Sequence, residues 1–206
     1  MERLIKAAVV GYGNRGQVYA DYSLDCPNEL KIVGVVEPNL FRLNDAKNRY
    51  HLEDNQLFTS LEEFIKQHLE VDIVINATMD QDHFETGKAI LNAGYNMLIE
   101  KPIVPNKEEL IELTEIAKKN NSKVLVCHVL RYTPFYRLIK KLLLEGEIGE
   151  IMTMEMNEHV CLAHFLTSYD RGKWNDEKTC GSSFLLAKCC HDMDLISWLN
   201  NNAKPL

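Results

Sequence analysis

The stretch Ala7-Ala8-Val9-Val10-Gly11-Tyr12-Gly13-Asn14-Arg15-Gly16 decides the fold, because an apolar run passes directly into G-x-G-x-x-G. Apolar residues in unbroken succession read as a strand covered on both faces, and the glycines read as a strand-to-helix turn with a helix opening at Asn14. Gly11 permits the tight turn, Gly13 leaves the backbone bare where a pyrophosphate would lie, and Gly16 lets the helix pack closely on the strand. The first helical N–H groups, those of Asn14, Arg15 and Gly16, then face the phosphates together with the positive end of the helix dipole. Three glycines also make an ordinary tight turn, so the reading leans on a second marker. The next strand, Lys31-Ile-Val-Gly-Val-Val36, ends in Glu37, 26 positions beyond Gly11 and near the offset of an acid that grips a ribose hydroxyl. Glu37 would accept hydrogen bonds from a ribose 2′-hydroxyl and repel a 2′-phosphate. NAD is therefore expected in preference to NADP, a preference that Arg42 would soften.

Short apolar runs alternate with amphipathic stretches of helical length as far as residue 148. That pattern specifies an α/β fold, a doubly wound parallel sheet of the Rossmann kind with helices on both faces. Strands are predicted over 4–10, 31–36, 71–77, 96–99 and 123–128, and helices over 14–24, 39–50, 60–68, 82–94 and 106–120. Asn106 with Glu109 reads as a capping box. A further helix is predicted from Pro134 to Glu145, closed by Gly146, with a second break at Gly149. The pattern then changes. Residues 151–157 alternate as a half-covered strand, 159–179 read as a loop, and 183–199 as a helix. The division is thus 1–128 for a nucleotide-binding domain and 129–206 for the start of a second, open-sheet α/β domain. The second reads as incomplete, because one strand and one helix cannot cover a sheet's edges and face, and the pattern breaks off at Asn202–Leu206. Self-association or disorder beyond about residue 150 is the corresponding expectation.

The net charge of −7 offers no basic stripe for a phosphate backbone, which argues against nucleic acid. Nothing near eighteen consecutive apolar residues occurs, and Met1-Glu2-Arg3 lacks a signal-peptide core, so a cytoplasmic protein with no membrane partner is expected. The six cysteines (Cys26, Cys127, Cys161, Cys180, Cys189, Cys190) show no C-x-x-C spacing and read as reduced core residues. His159, His164, Cys180 and His191 match the spacing of no common zinc site, and no metal is expected.

Glu100-Lys101-Pro102 follows the strand Asn96–Ile99 directly, which puts Lys101 at the carboxyl end of a sheet strand, where open α/β sheets hold their ligands. Thr78 ends another strand and is a candidate cofactor contact; His83 is either a second or a helix-start residue. On the last helix Phe184, Lys188, His191, Leu195 and Trp198 fall on one stripe, so that two ionisable groups three positions apart sit inside an apolar line. Such pairs are costly unless used, although a core histidine beside a snorkelling lysine would look the same.

In order along the chain, the Gly11 turn, Glu37-Pro38, Glu100-Lys101-Pro102, Arg131-Tyr132-Thr-Pro134, Gly146-Glu-Ile-Gly149 and His191-Asp192-Met-Asp194 resemble the Gfo/Idh/MocA oxidoreductases. The resemblance spans essentially the whole chain. It implies an NAD(P)-dependent reaction on a sugar, polyol or related cyclic alcohol, and a homo-oligomer built through the second domain's sheet. By the same carry-over Lys101 is the E-K-P lysine, with Glu100 beside it at the cofactor, and His191 is the catalytic histidine. Where many members carry an aspartate one turn before that histidine, this chain has Ala187, and Lys188 would take part in a modified site of a Lys-x-x-His subgroup. Arg131, Arg171, Trp174 and His191 are the implied substrate contacts, Arg171 and Trp174 within a loop that resembles the subgroup's substrate loop. NAD-dependent glycosidases of the same family, and a dinucleotide-binding protein without catalysis, are the alternative readings.

Overall fold

The computed structural model describes residues 3–201, with Glu177 described by its backbone alone, so Asn202–Leu206 lie outside the described residues. The chain forms two compact units that meet in sequence between Val126 and Cys127.

In the first unit the predicted alternation of strand and helix is realised. The elements run β1 (Ile5–Val10), α1 (Asn14–Asp25), β2 (Leu30–Val36), α2 (Leu40–Tyr50), β3 (Leu57–Phe58), α3 (Leu61–Gln67), β4 (Ile73–Asn76), α4 (His83–Asn92), β5 (Met97–Ile99), α5 (Lys107–Lys119) and β6 (Val124–Val126). All pairings are parallel and the strand order is β3-β2-β1-β4-β5-β6. The direction of winding therefore reverses between β1 and β4, the crevice in which doubly wound sheets bind ligands. β3 was not foreseen. Two residues carry no periodicity of their own, and Leu57 and Phe58 become a strand only through register with Val35 and Val36.

Because side chains alternate across a strand, β1 feeds two cores. Ala7 and Val9 pack with Ala20 of α1 and with Leu43 and Ala46 of α2, while Ala8 and Val10 pack with Phe64 of α3, Ile90 and Leu91 of α4, and Leu113 of α5. The helix starts are set by short polar caps. Asn39 accepts from the Phe41 and Arg42 amides, Ser60 from Glu63, and Asn106 from Glu109.

The second unit begins with a 3-10 turn (Val129–Tyr132) and α6 (Pro134–Leu144), entered through Pro134 at the first turn with Thr133 as cap. Residues 151–157, expected as a strand, carry no strand. A strand exists by its hydrogen bonds to a neighbour, and among the described residues of this unit there is none to pair with. The expected loop holds α7 (Leu162–Phe165), a π turn (Leu166–Asp170) and α8 (Glu177–Cys180), before α9 (Phe184–Leu199) capped by Ser183. The buried line of α9 is Ala187, Leu195 and Leu199; the stripe read from sequence is rotated from it, so that Phe184 is exposed and Lys188 and His191 are half-buried. Lys140 of α6 closes the far end of α9, its Nζ donating to the Trp198 carbonyl at 2.7 Å and to Asn201 Oδ1 at 2.6 Å. Among the described residues no helix is long and apolar enough to cross a membrane.

Phe64 is fully buried with its ring centroid 5.5 Å from both Phe58 and Tyr95. Truncating it leaves a cavity in the core on that face of the sheet. Phe64→Ala is expected to destabilise the first unit by about 3–5 kcal/mol, read as a lowered midpoint in denaturant with the slope unchanged.

Candidate functional site

The turn after β1 is built around two close approaches. Gly11 has φ +85°, and a Cβ on it would stand 2.7 Å from the Ala77 carbonyl oxygen; a Cβ on Gly16 would stand 2.1 Å from the Gly11 carbonyl oxygen. Neither position admits a side chain, so the helix is drawn against the turn as the sequence reading requires. Gly13 is different: a Cβ there would meet nothing within 4 Å, and, as the cap of α1, it supplies no side-chain acceptor to the Asn14, Arg15 and Gly16 amides. Bare backbone facing open space at a helix start is the cradle a pyrophosphate needs.

Glu37, at the end of β2, is 5% exposed and accepts hydrogen bonds from the Tyr12 and Asn39 amides, each at 3.0 Å. Its two oxygens are thereby aimed by backbone, and each keeps a lone pair for a hydroxyl donor. Arg42 Nη1 is 3.9 Å away, the only softening of the negative charge that the sequence suggested. The Tyr12 side chain folds inward, its hydroxyl 3.1 Å from that of Tyr50.

Thr78 follows the end of β4. Its hydroxyl donates to Oδ1 of the fully buried Asn76 at 2.9 Å, and Asn76 in turn donates to Thr86 at 2.9 Å. At the end of β5, Glu100 accepts from the Tyr19 hydroxyl and, at 2.9 Å, from the Lys101 amide, with Arg15 Nε at 3.9 Å. His83, counted with the cofactor residues on sequence, is fully buried with Nδ1 2.8 Å from the Pro102 carbonyl oxygen. Enclosed in this way, it braces the lysine loop from behind instead of facing a ligand. Gly11, Gly13, Asn14, Arg15, Gly16, Glu37, Thr78, Glu100 and Lys101 thus share the carboxyl edge of β1, β2, β4 and β5. Asn76, Tyr19 and Thr86 were not singled out from sequence; a polar residue ending an otherwise apolar strand, as Asn76 does, was the available signal.

The second unit gathers His191 and Lys188 with partners that no local pattern announced. Asp194 is gripped by Arg131 through Nε at 2.6 Å and Nη2 at 2.5 Å, with His128 Nε2 at 3.7 Å, and the His128 ring meets the edge of His191 at 5.9 Å. Arg131, expected among the substrate contacts, has its guanidinium engaged bidentately by a carboxylate only 8% exposed. Arg171 is largely exposed and lies 3.6 Å from Asp170, while Trp174 joins an aromatic group with Tyr169, whose ring is 4.7 Å from Phe184. Lys188 Nζ lies 2.8 Å from Glu158 Oε1. Burial alone would lower the lysine's pKa, but the hydrogen bond and charge of Glu158 outweigh it and hold the ammonium above its ordinary range. Burial, reinforced by repulsion from Glu158, pushes Asp192 upward against the pull of Lys188.

A parallel doubly wound sheet with a glycine turn after its first strand defines a dinucleotide-binding domain of the Rossmann kind. Residues 5–128 match the model of the Gfo/Idh/MocA oxidoreductase family, NAD-binding Rossmann fold, and residues 140–205 match the family's C-terminal alpha/beta domain. The chain belongs to this family. It is 30% identical over 156 residues to an oxidoreductase of Formosa agariphila, covering 76% of this chain and 48% of that protein. It is 26% identical over 200 residues to the inositol 2-dehydrogenase of Corynebacterium glutamicum (strain R), covering 97% of this chain and 55% of that one. The structure of scyllo-inositol dehydrogenase from Lactobacillus casei with bound NAD(H) and scyllo-inositol shares the fold at a TM-score of 0.79 and 23% identity, over 97% of this chain and 57% of that one. The chain thus spans about half the length of the relatives it matches.

Two binding outcomes follow from the cradle. Titration monitored by cofactor fluorescence is expected to give tighter binding of NADH than of NADPH, because a buried carboxylate at the end of β2 would repel a 2′-phosphate. Gly13→Val is expected to abolish binding of either form by filling the open space, with the circular dichroism of the chain unchanged.

Proposed function

We propose that the protein catalyses hydride exchange between a nicotinamide cofactor and a secondary alcohol of a sugar, polyol or related cyclic substrate. The observation that carries the reading is the convergence of the bare Gly13 backbone, the aimed Glu37 carboxylate and the Glu100–Lys101 loop on one edge of the sheet. The fit of these residues to a dinucleotide is physical: open space at Gly13 for phosphates, and oriented acceptors at Glu37 for ribose hydroxyls. NAD, when bound, supplies the hydride acceptor.

The protein's own part is proton handling and charge. An imidazole nitrogen of His191 takes the hydroxyl proton as the carbon is oxidised, the general-base role in which imidazole is the commonest side chain. The Lys101 ammonium stabilises the negative charge that develops on the substrate oxygen, where a fixed cation in a water-poor site acts most strongly. Arg171 and Trp174 offer hydrogen-bond donors and a ring face to a polyhydroxylated ring.

With NAD and a panel of inositols and aldoses, Lys101→Ala and His191→Ala are each expected to lower turnover by roughly two to four orders of magnitude, the usual scale for acid–base groups, while NAD affinity changes little. Near-normal turnover in His191→Ala on the best substrate would remove that residue from the mechanism.

A further inference from the structure

Lys188 and His191 stand three positions apart on α9 and so are neighbours on one face. The group that meets the Lys188 ammonium comes from elsewhere: Glu158, in the irregular stretch 30 positions upstream, at 2.8 Å. We propose that Glu158 is a positioning residue that fixes Lys188 as a permanent cation beside His191, so that Lys188 donates hydrogen bonds to the substrate oxygen and His191 is left as the only base of the pair. The inference deepens the hydride-transfer reading above and rests on it for the identity of the substrate.

Glu158 and Lys188 retain 36% and 23% side-chain exposure, so the pair contributes modestly to folding. Its consequence here is chemical. An ammonium has three N–H donors and no lone pair; with one donor on Glu158, two remain for a substrate and none of the nitrogen is available to accept a proton. The groups acting on Lys188 are Glu158 from the irregular stretch, Tyr169 from the π turn and Asp192 on α9 itself. All three favour the charged lysine, whereas half-burial disfavours it, so the balance turns on Glu158. Loss of the Glu158 charge removes the strongest of these supports and lowers the lysine's pKa. The same change relieves Asp192 of the repulsion that Glu158 exerts on it.

The test needs no turnover. In the chain labelled with 13C at lysine Cε, and with Lys188→Gln to assign the resonance, Lys188 is expected to titrate above the ordinary lysine value. In Glu158→Gln the midpoint is expected to fall, as loss of a neighbouring opposite charge requires, and in Glu158→Asp to recover most of that loss. A wild-type Lys188 titrating at or below the ordinary value overturns the proposal, and so does a midpoint unmoved in a folded Glu158→Gln. Should Glu158→Gln fail to fold, the wild-type midpoint and Glu158→Asp decide alone. In an active preparation, the alkaline limb of the kcat/KM profile should move downward with the Lys188 midpoint. Expected midpoints without turnover on any polyol would sink the substrate reading and leave the charge assignment standing. Turnover with an unmoved alkaline limb would sink the donor role and leave hydride transfer intact.

Discussion

The approach of α1 to the turn that precedes it is the constraint on which the rest depends. A methyl group on Gly16 would lie 2.1 Å from the Gly11 carbonyl oxygen, well inside any van der Waals contact. With hydrogen there instead, the helix starts immediately beyond β1, and its first amides and dipole end sit at the crevice where the sheet reverses direction. The same turn places the Tyr12 amide on Glu37 at 3.0 Å, so the turn that frees the first amides of α1 also orients the Glu37 carboxylate. One turn thus links Gly11 and Glu37, which are 26 positions apart in the sequence.

Around that contact the structure handles buried charge by a consistent rule. Glu37 and Glu100 are almost wholly enclosed, yet each accepts hydrogen bonds from backbone amides, and Glu100 from Tyr19 as well. Satisfied in this way, a carboxylate is tolerated in the interior and held in one orientation, which is what a ligand-facing group requires. In the second unit Asp194 follows the same rule through Arg131, and the pairing braces α9 against the turn at Val129–Tyr132. Supports of this kind stand behind His191 and behind the Lys101 loop.

Several features could be read from residues alone because they are properties of short stretches. The unbroken apolar run of β1, the glycine turn, the capping side chains and the helical periods of α1 to α5 depend on neighbours within a few positions, and those neighbours are in the sequence. Other features depended on what lies across space. Leu57 and Phe58 become a strand through β2, whereas residues 151–157 have no strand to pair with among the described residues of their unit. Their alternating pattern is a property of the segment; the hydrogen bonds that would make it a strand are not.

The site divides along the same line. Sequence by itself determined the class of fold, the glycine turn at Gly11–Gly16 and the placing of Glu37 and Lys101 beyond the ends of β2 and β5, because each is defined by spacing along one strand-turn-helix unit. Only the tertiary structure decided that Arg131 serves Asp194, that His83 stands behind Pro102, and that Glu158 meets Lys188 from 30 positions away. Charge pairing acts over a few ångströms and is indifferent to separation along the chain, so the partners of a buried ionisable group are known only when the chain has folded.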